Sequence, residues 1–409
     1  MANTNGDLNR FYNYYLNKAA NETGVIATQV PSGPGVTNSI MVIDMQNDFT
    51  IPWPGGAFAV ADGDKAAPKM AAWVAANAAA CTKVVFTRDA HVPDHCSFSV
   101  FPPHCLIDTP GAEMHNSMDG LFGLTNAEVV FKGMHHDTDS FGGVSYPNDA
   151  YAPTRQMRTC NYVEGETGGF YLKKEDGTYL TNEEAFATKP FATAGSGWEQ
   201  RKEAFTIDKL FPGQTSGQHN VFVIGLAGDF CVRDTAINIA KAAAAGGAGA
   251  VTVNVFVVES LTRYPQLPLL NDKGESALSA DDITATTEAD GSKKSLTKYV
   301  FMFPKNEDGT TNYGAERVIL SKTEADTMAN GPYDGYFHFI TDPRDIVKNY
   351  SEVGVKIIMD APTLTTGLLG GRRQTQRKRR QNRRQSRQQQ RQSRQQQRQS
   401  RRRQQHSRF

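Results

Sequence analysis

Six short β-branched runs constrain the fold most, because none of them alternates apolar with polar residues. They are SIMVIDMQ (39–46), KVVFTRD (83–89), AEVVFKG (127–133), HNVFVIGLAG (219–228), AVTVNVFVVES (250–260) and VKIIMD (355–360). Continuous apolar strands of this length have both faces buried, which is the condition of a parallel sheet covered by helices. Helical patterns stand between them, DKAAPKMAAWVAANAAA (64–80) and VRDTAINIAKAAAA (232–245), the second stopped by two glycines. The expected architecture is therefore α/β: a doubly wound, mainly parallel six-stranded sheet with helices on both faces.

Two stretches break this rhythm. Residues 147–218 are rich in Gly, Thr, Glu and Tyr, and residues 265–335 are polar and acidic with turn signals NDKG, ADG and NEDG. Both read as insertions decorating the rim of one domain over 38–362, with a lid or a contact between copies of the chain as the alternative. Residues 1–37 form an N-terminal extension. The segment 371–409 holds 15 Arg, one Lys and no acid. Removing those 16 from the 44 Lys+Arg leaves 28 basic against 43 acidic residues, so the body carries a net charge of about −15. The tail repeats RQSRQQQ with a period of seven but offers no apolar seam, so it is expected to be disordered rather than a coiled coil. Its arginines could touch RNA or an acidic partner, or act as a nuclear address; no aromatic residue interleaves them to stack on bases.

Five cysteines (Cys81, Cys96, Cys105, Cys160, Cys231) in 409 residues do not look like a disulfide framework. With no secretory apolar core and no apolar run of spanning length, a reducing cytoplasmic setting is expected, without a membrane partner.

Ligands in open α/β sheets bind at the carboxyl ends of the strands. Four strands here end in reactive groups: Asp44; Asp89 with His91 beyond it; Lys132; and, after GLAGDF, Cys231. Cys231 opens a helix, whose unpaired N–H groups and dipole are expected to lower the thiol pKa and hold an oxyanion, with Lys132 acting in the same sense. Asp44 could take the thiol proton for attack on a carbonyl carbon. Asp89, His91 and His104 offer one carboxylate and two imidazoles to a divalent metal: Zn²⁺ first, Mn²⁺ or Fe²⁺ as alternatives. His95 is a further candidate ligand, and Cys96 or Cys105 would compete for a soft metal.

The motifs VIDMQNDF (42–49), TRDAHVPDHCSF (87–98), FPPHCLIDTPGAE (101–113), VFKG (130–133), DTDSFGG (137–143) and VIGLAGDFCVRDTAINIA (223–240), in this order, resemble the nicotinamidases among the isochorismatase-like cysteine hydrolases. The resemblance covers about 38–146 and 219–262, with a terminal match near 336–360. It implies Asp44 as base, Lys132 as the cation beside it, Cys231 as nucleophile, and Asp89, His91 and His104 as metal ligands. It also implies a nicotinamide ring near Phe49 and Phe101, an oxyanion facing the N–H groups of Ala227 and Cys231, and a cis peptide before Ala227. The implied reaction is nicotinamide to nicotinate and ammonia, through a thioester, in NAD salvage. Ala90 and Phe101 stand where the family carries bulkier aromatics, which implies a roomier pocket open to pyrazinamide and related amides. Two other readings stand beside it: a hydrolase of the same fold acting on another small amide, and a non-catalytic scaffold with an RNA-binding tail.

Overall fold

The computed structural model describes residues 16–17, 19–52, 55–60, 62–99, 101–147, 160–268, 300–302, 318–319, 337–339 and 343–365. Met1–Ser32 and Val36–Thr366 form one compact unit. The other unit, Gly33–Gly35 with Gly367–Phe409, falls almost wholly outside the described residues, and the expectations for the tail fall with it.

Eight strands make the main sheet: β1 (Val36–Ile43), β2 (Lys83–Asp89), β3 (Ala127–Lys132), β4 (Phe170–Leu172), β5 (Lys202–Ala204), β6 (Gly217–Gly225), β7 (Val251–Thr262) and, near the C-terminal end, β12 (Lys356–Ile358). Four short strands between the last two, β8 (Gln266–Pro268), β9 (Val300–Met302), β10 (Val318–Ile319) and β11 (Phe337–Phe339), pair in a separate small sheet. The main order is β12-β7-β6-β1-β2-β3-β4-β5. The first six of these are parallel and coincide with the six apolar runs. The sheet has eight strands rather than six because the 147–218 insertion adds β4 and β5, antiparallel, beyond β3. Part of the N-terminal extension also joins the framework, since Val25 and Ala27 exchange backbone hydrogen bonds with Ile357.

Five helices matter to the packing: α1 (Gly63–Asn77), α2 (Asn182–Phe186), α3 (Pro190–Ala194), α4 (Cys231–Ala242) and α5 (Pro343–Val353). Strand periodicity sorts the core into two layers. Ile40 and Val42 of β1 face a cluster with Met70 and Val74 of α1, while Met41 and Ile43 face one with Val232 and Ile239 of α4 and Ile346 of α5. Both faces are thus buried, which is why the strands read as unbroken apolar runs. After β3 the chain crosses to the far side of β1 to form β6, so the strand order reverses between β1 and its neighbours. The crevice at that reversal is where α/β sheets place ligands.

One departure concerns the cysteines. Cys96 and Cys160 form a disulfide across 64 residues of sequence, while Cys81, Cys105 and Cys231 are free. The turn at Cys96–Ser99 packs on the loop 134–138, and Asn161 bonds that same loop, which brings the two thiols together. No helix among the described residues is long and apolar enough to cross a membrane.

Candidate active site

The carboxyl ends of β1, β2, β3 and β6 bring Asp44, Asp89, Lys132 and Cys231 into one buried cluster. Lys132 is its centre. Its Nζ lies 2.9 Å from Asp44 Oδ2 and 2.7 Å from Asp89 Oδ1, and it donates to Cys231 Sγ at 3.5 Å. Burial alone would strip the ammonium of its proton, but the two carboxylates hold its pKa well above the ordinary lysine value. Thr87 Oγ1 donates to Asp44 Oδ1 at 2.6 Å and accepts the Asp44 N–H at 3.1 Å, which steadies a residue whose φ is +45°. Burial raises the Asp44 carboxyl above its ordinary value although Lys132 opposes the shift, so Asp44 is a stronger base than a solvated aspartate.

Cys231 is the first residue of α4. Here the structure corrects the expectation of a lowered thiol pKa. Burial pushes the thiol well above its ordinary value; Lys132 works against this, and Asp44 and Asp89 add to it. The resting group is the thiol, poised beside a base rather than already ionised. The peptide Leu226–Ala227 is cis, as the resemblance implied. The Ala227 carbonyl accepts the N–H groups of Phe230 and Val232, which closes the turn into the helix.

Asp89, His91 and His104 each place a ligand atom within 4.8 Å of the others. His91 Nδ1 lies 2.9 Å from the Gly133 carbonyl and His104 Nδ1 2.8 Å from that of Pro102, so each ring donates there and turns its Nε2 lone pair elsewhere. Burial, reinforced by charge on His91, lowers the His104 pKa to about 3, which keeps it in the neutral form that ligates metals. His95 is pushed down to about 2 by the same causes; its ring lies 4.0 Å from that of His91, and its Nε2 is buried without a hydrogen bond. Burial works against the Asp89 charge, but Lys132 and His91 hold that carboxyl below its usual range. Burial would lower the His91 pKa, but Asp89, 3.4 Å from its Nε2, raises it above the ordinary value, so His91 would shed a proton when this carboxylate and the imidazoles take a divalent ion. Cys105 is buried with a strongly raised pKa and Cys96 is in the disulfide, so neither competes as a thiolate.

The cavity beside Cys231 is small, about 30 Å³, and is walled by Phe49, Phe58, Phe101, Phe141 and Phe230 together with Ala227. The pocket is tighter than the substitutions at 90 and 101 implied. Phe58 closes on Phe101 and His104 at 5.2 and 5.1 Å, and Phe230 meets both Phe101 and Phe141. Asp139 also lines it, its pKa raised by burial, against His91, to about 6. A larger cavity of about 590 Å³ opens where β4 leaves β3, lined by Val129, Phe131, Tyr171 and Tyr179 among others; none of the candidate residues reaches it.

Several contributors lay in quoted motifs without being singled out. Gln46 donates to the Asp89 and Ala112 carbonyls and accepts the Asp89 N–H at 2.6 Å, which fixes the end of β2. Asp48 accepts the N–H groups of Cys105 and Ala57, tying the His104 loop to the segment bearing Phe58. A buried polar side chain inside an apolar motif was the available signal for both.

Residues 38–143 match the family model for the isochorismatase domain. Asp44, Asp89 and Lys132 of the cluster lie within the matched residues, whereas Cys231 lies beyond them. Over 205 residues it is 29% identical to a nicotinamidase/pyrazinamidase of Mycobacterium tuberculosis, covering 48% of this chain and 76% of that protein. It is 24% identical over 225 residues to a nicotinamidase of Acinetobacter baylyi, covering 50% of this chain and 75% of that one. Among solved structures, a pyrazinamidase of Pyrococcus horikoshii in complex with zinc is similar at 22% identity, over 56% of this chain and 86% of that one, with a TM-score of 0.32.

Proposed function

We propose that this protein is a cysteine amidohydrolase that converts nicotinamide to nicotinate and ammonia, a step of NAD salvage. The observation that carries the reading is the buried contact of Cys231 Sγ with Lys132 Nζ, itself paired with Asp44, beside a cavity walled by aromatic rings. Cys231 Sγ attacks the carboxamide carbon while Asp44 accepts the thiol proton. The developing oxyanion faces the N–H groups of Ala227 and Cys231, where fixed donors in a dry site stabilise charge. Collapse expels ammonia, which takes the proton from Asp44, and leaves a thioester. Water then attacks the thioester carbon, Asp44 again accepting a proton, and nicotinate departs as the thiol is restored. Lys132 opposes the effect of burial on Asp44 and holds its carboxyl in place between the two proton transfers.

Asp89, His91 and His104, with His95, are the residues that would hold a divalent ion, Zn²⁺ before Mn²⁺ or Fe²⁺. Such an ion supplies a Lewis-acid anchor for the ring nitrogen. Phe49 and Phe101 would flank the ring.

The test is product formation from nicotinamide by the purified protein, followed by NMR. Nicotinate is expected from the wild type and not from Cys231→Ala; a metal-replete wild type that leaves nicotinamide untouched would sink the proposal. Metal content is read separately. His104→Ala is expected to lower the bound divalent metal per chain at least tenfold after dialysis, and full metal content in that variant would remove His104 from the ligand set.

A further inference from the structure

The helix that opens with Cys231 holds a loop as well as the nucleophile. Asp234, Thr235 and Asn238 all bond to the loop that follows Asp139. Tyr146 donates its phenol O–H to Asp234 Oδ2 at 2.6 Å, and the phenol oxygen accepts the Gly142 N–H at 2.8 Å. The Gly143 N–H donates to Thr235 Oγ1 at 2.9 Å, and Asn238 Nδ2 donates to the Val144 carbonyl at 2.8 Å. The second Asp234 oxygen accepts from Arg233 Nε at 2.8 Å. The loop runs close to its neighbours: a Cβ on Gly142 would lie 2.6 Å from Asn238 Nδ2 of α4, and one on Gly143 would lie 2.9 Å from Thr87 Cγ2 of β2. Phe141, on this loop, faces the cavity and packs on Phe230, the residue before Cys231, with ring centroids 5.2 Å apart.

We propose that Tyr146 is a positioning residue for the substrate ring: its phenol sets the Phe141 wall at a fixed distance from the nucleophile by tying the loop to α4. The inference rests on the reading of this cavity as the amide site. Tyr146 is buried and stays clear of the cavity lining, so it acts through Phe141. Without the phenol, the Gly142 N–H and one Asp234 oxygen lose a buried partner and the loop relaxes. The wall then loosens its hold on a flat ring, while Asp44, Lys132 and Cys231 keep their contacts. Ring binding weakens and the chemical step does not.

The experiment compares wild type, Tyr146→Phe, Asp234→Asn and Asp234→Leu in the full chain. For nicotinamide, Tyr146→Phe and Asp234→Leu are expected to raise KM about tenfold with kcat within about threefold. Asp234→Asn keeps an acceptor for the phenol and is expected to stay near the wild type. A second measurement reads the wall without any turnover. Alkylation of Cys231 by 2-bromoacetophenone is compared with alkylation by bromoacetone, and the site is mapped by peptide mass. The preference for the aromatic reagent is expected to fall in Tyr146→Phe, with the bromoacetone rate unchanged. An altered melting temperature with KM and reagent preference both intact would mean the phenol is only structural, and would overturn the proposal. If the wild type proves inactive on nicotinamide, the substrate reading fails alone and the reagent contrast still decides the role of Tyr146.

Discussion

At the scale of single residues, Lys132 is the group on which the cluster depends. It lies fully buried between two carboxylates and a thiol. Removing one partner of a buried ion pair leaves uncompensated charge, which costs more than the pair itself contributes. Lys132→Met is therefore expected to abolish activity and to lower unfolding stability by about 3–5 kcal/mol, measured by urea denaturation. A fully stable variant would mean that the carboxylates take up protons without penalty. That Asp44, Lys132 and Cys231 come together was legible in the sequence because each stands at or just past the end of a strand, where neighbours in the sheet converge. The aromatic wall was legible only in part. Phe49 and Phe101 were singled out within their motifs; Phe141 and Phe230 stand in DTDSFGG and GLAGDFC without being singled out, and Phe58 lies outside every quoted motif.

At the scale of elements, β6 carries two features that govern its seat beside β1. Gly225 has φ +118°, and a Cβ there would come 2.2 Å from the Ile43 carbonyl oxygen. Gly225→Ala is expected to cost about 3 kcal/mol or more, from the strained φ and the backbone clash together; a change below 1 kcal/mol in urea unfolding would show that the two strands can separate. The second feature is His219, paired in register with Thr37, whose Oγ1 lies 2.7 Å from His219 Nδ1. Burial lowers this histidine from 6.5 to about 3. Below the ordinary value the unfolded chain binds a proton that the folded chain refuses, so stability falls as pH drops from 6.5 toward 3, at ~1.4 kcal/mol per unit. His219→Gln should reduce the slope of stability against pH by about one proton between pH 4 and 6, and an unchanged slope would place the titration elsewhere. Glu259 on β7 has the opposite sense: burial raises it to about 7, so its contribution is present below 4.5 and is lost as pH rises to 7. The six parallel strands were readable because burial of both faces leaves an unbroken apolar run. β4 and β5 have three residues each, too few to carry a period, and they take their shape from the edge of β3.

At the scale of the whole molecule, the disulfide links the His95-bearing loop to the start of the described insertion, and nothing local in the sequence marks the pairing. In the chain-entropy account, a bridge across 64 residues restricts the unfolded ensemble appreciably. Cys96→Ser and Cys160→Ser are each expected to lower stability by about 2–4 kcal/mol, with the double variant no worse than either single one; additive losses would show that the two sulfurs act independently. The order of the strands has a different consequence, one of timing. Asp44, Asp89 and Lys132 are all synthesised before residue 133, whereas the thiol waits on β6, which must insert on the opposite flank of β1. A growing chain therefore holds an acid pair and a cation for nearly a hundred residues before Cys231 exists to join them. Contacts this distant form late. The cluster is complete only when the central strand has gained its second neighbour, so a chain severed between Lys132 and Gly217 would yield two pieces, neither with the whole cluster, whose recombination reports directly on the closing of the sheet.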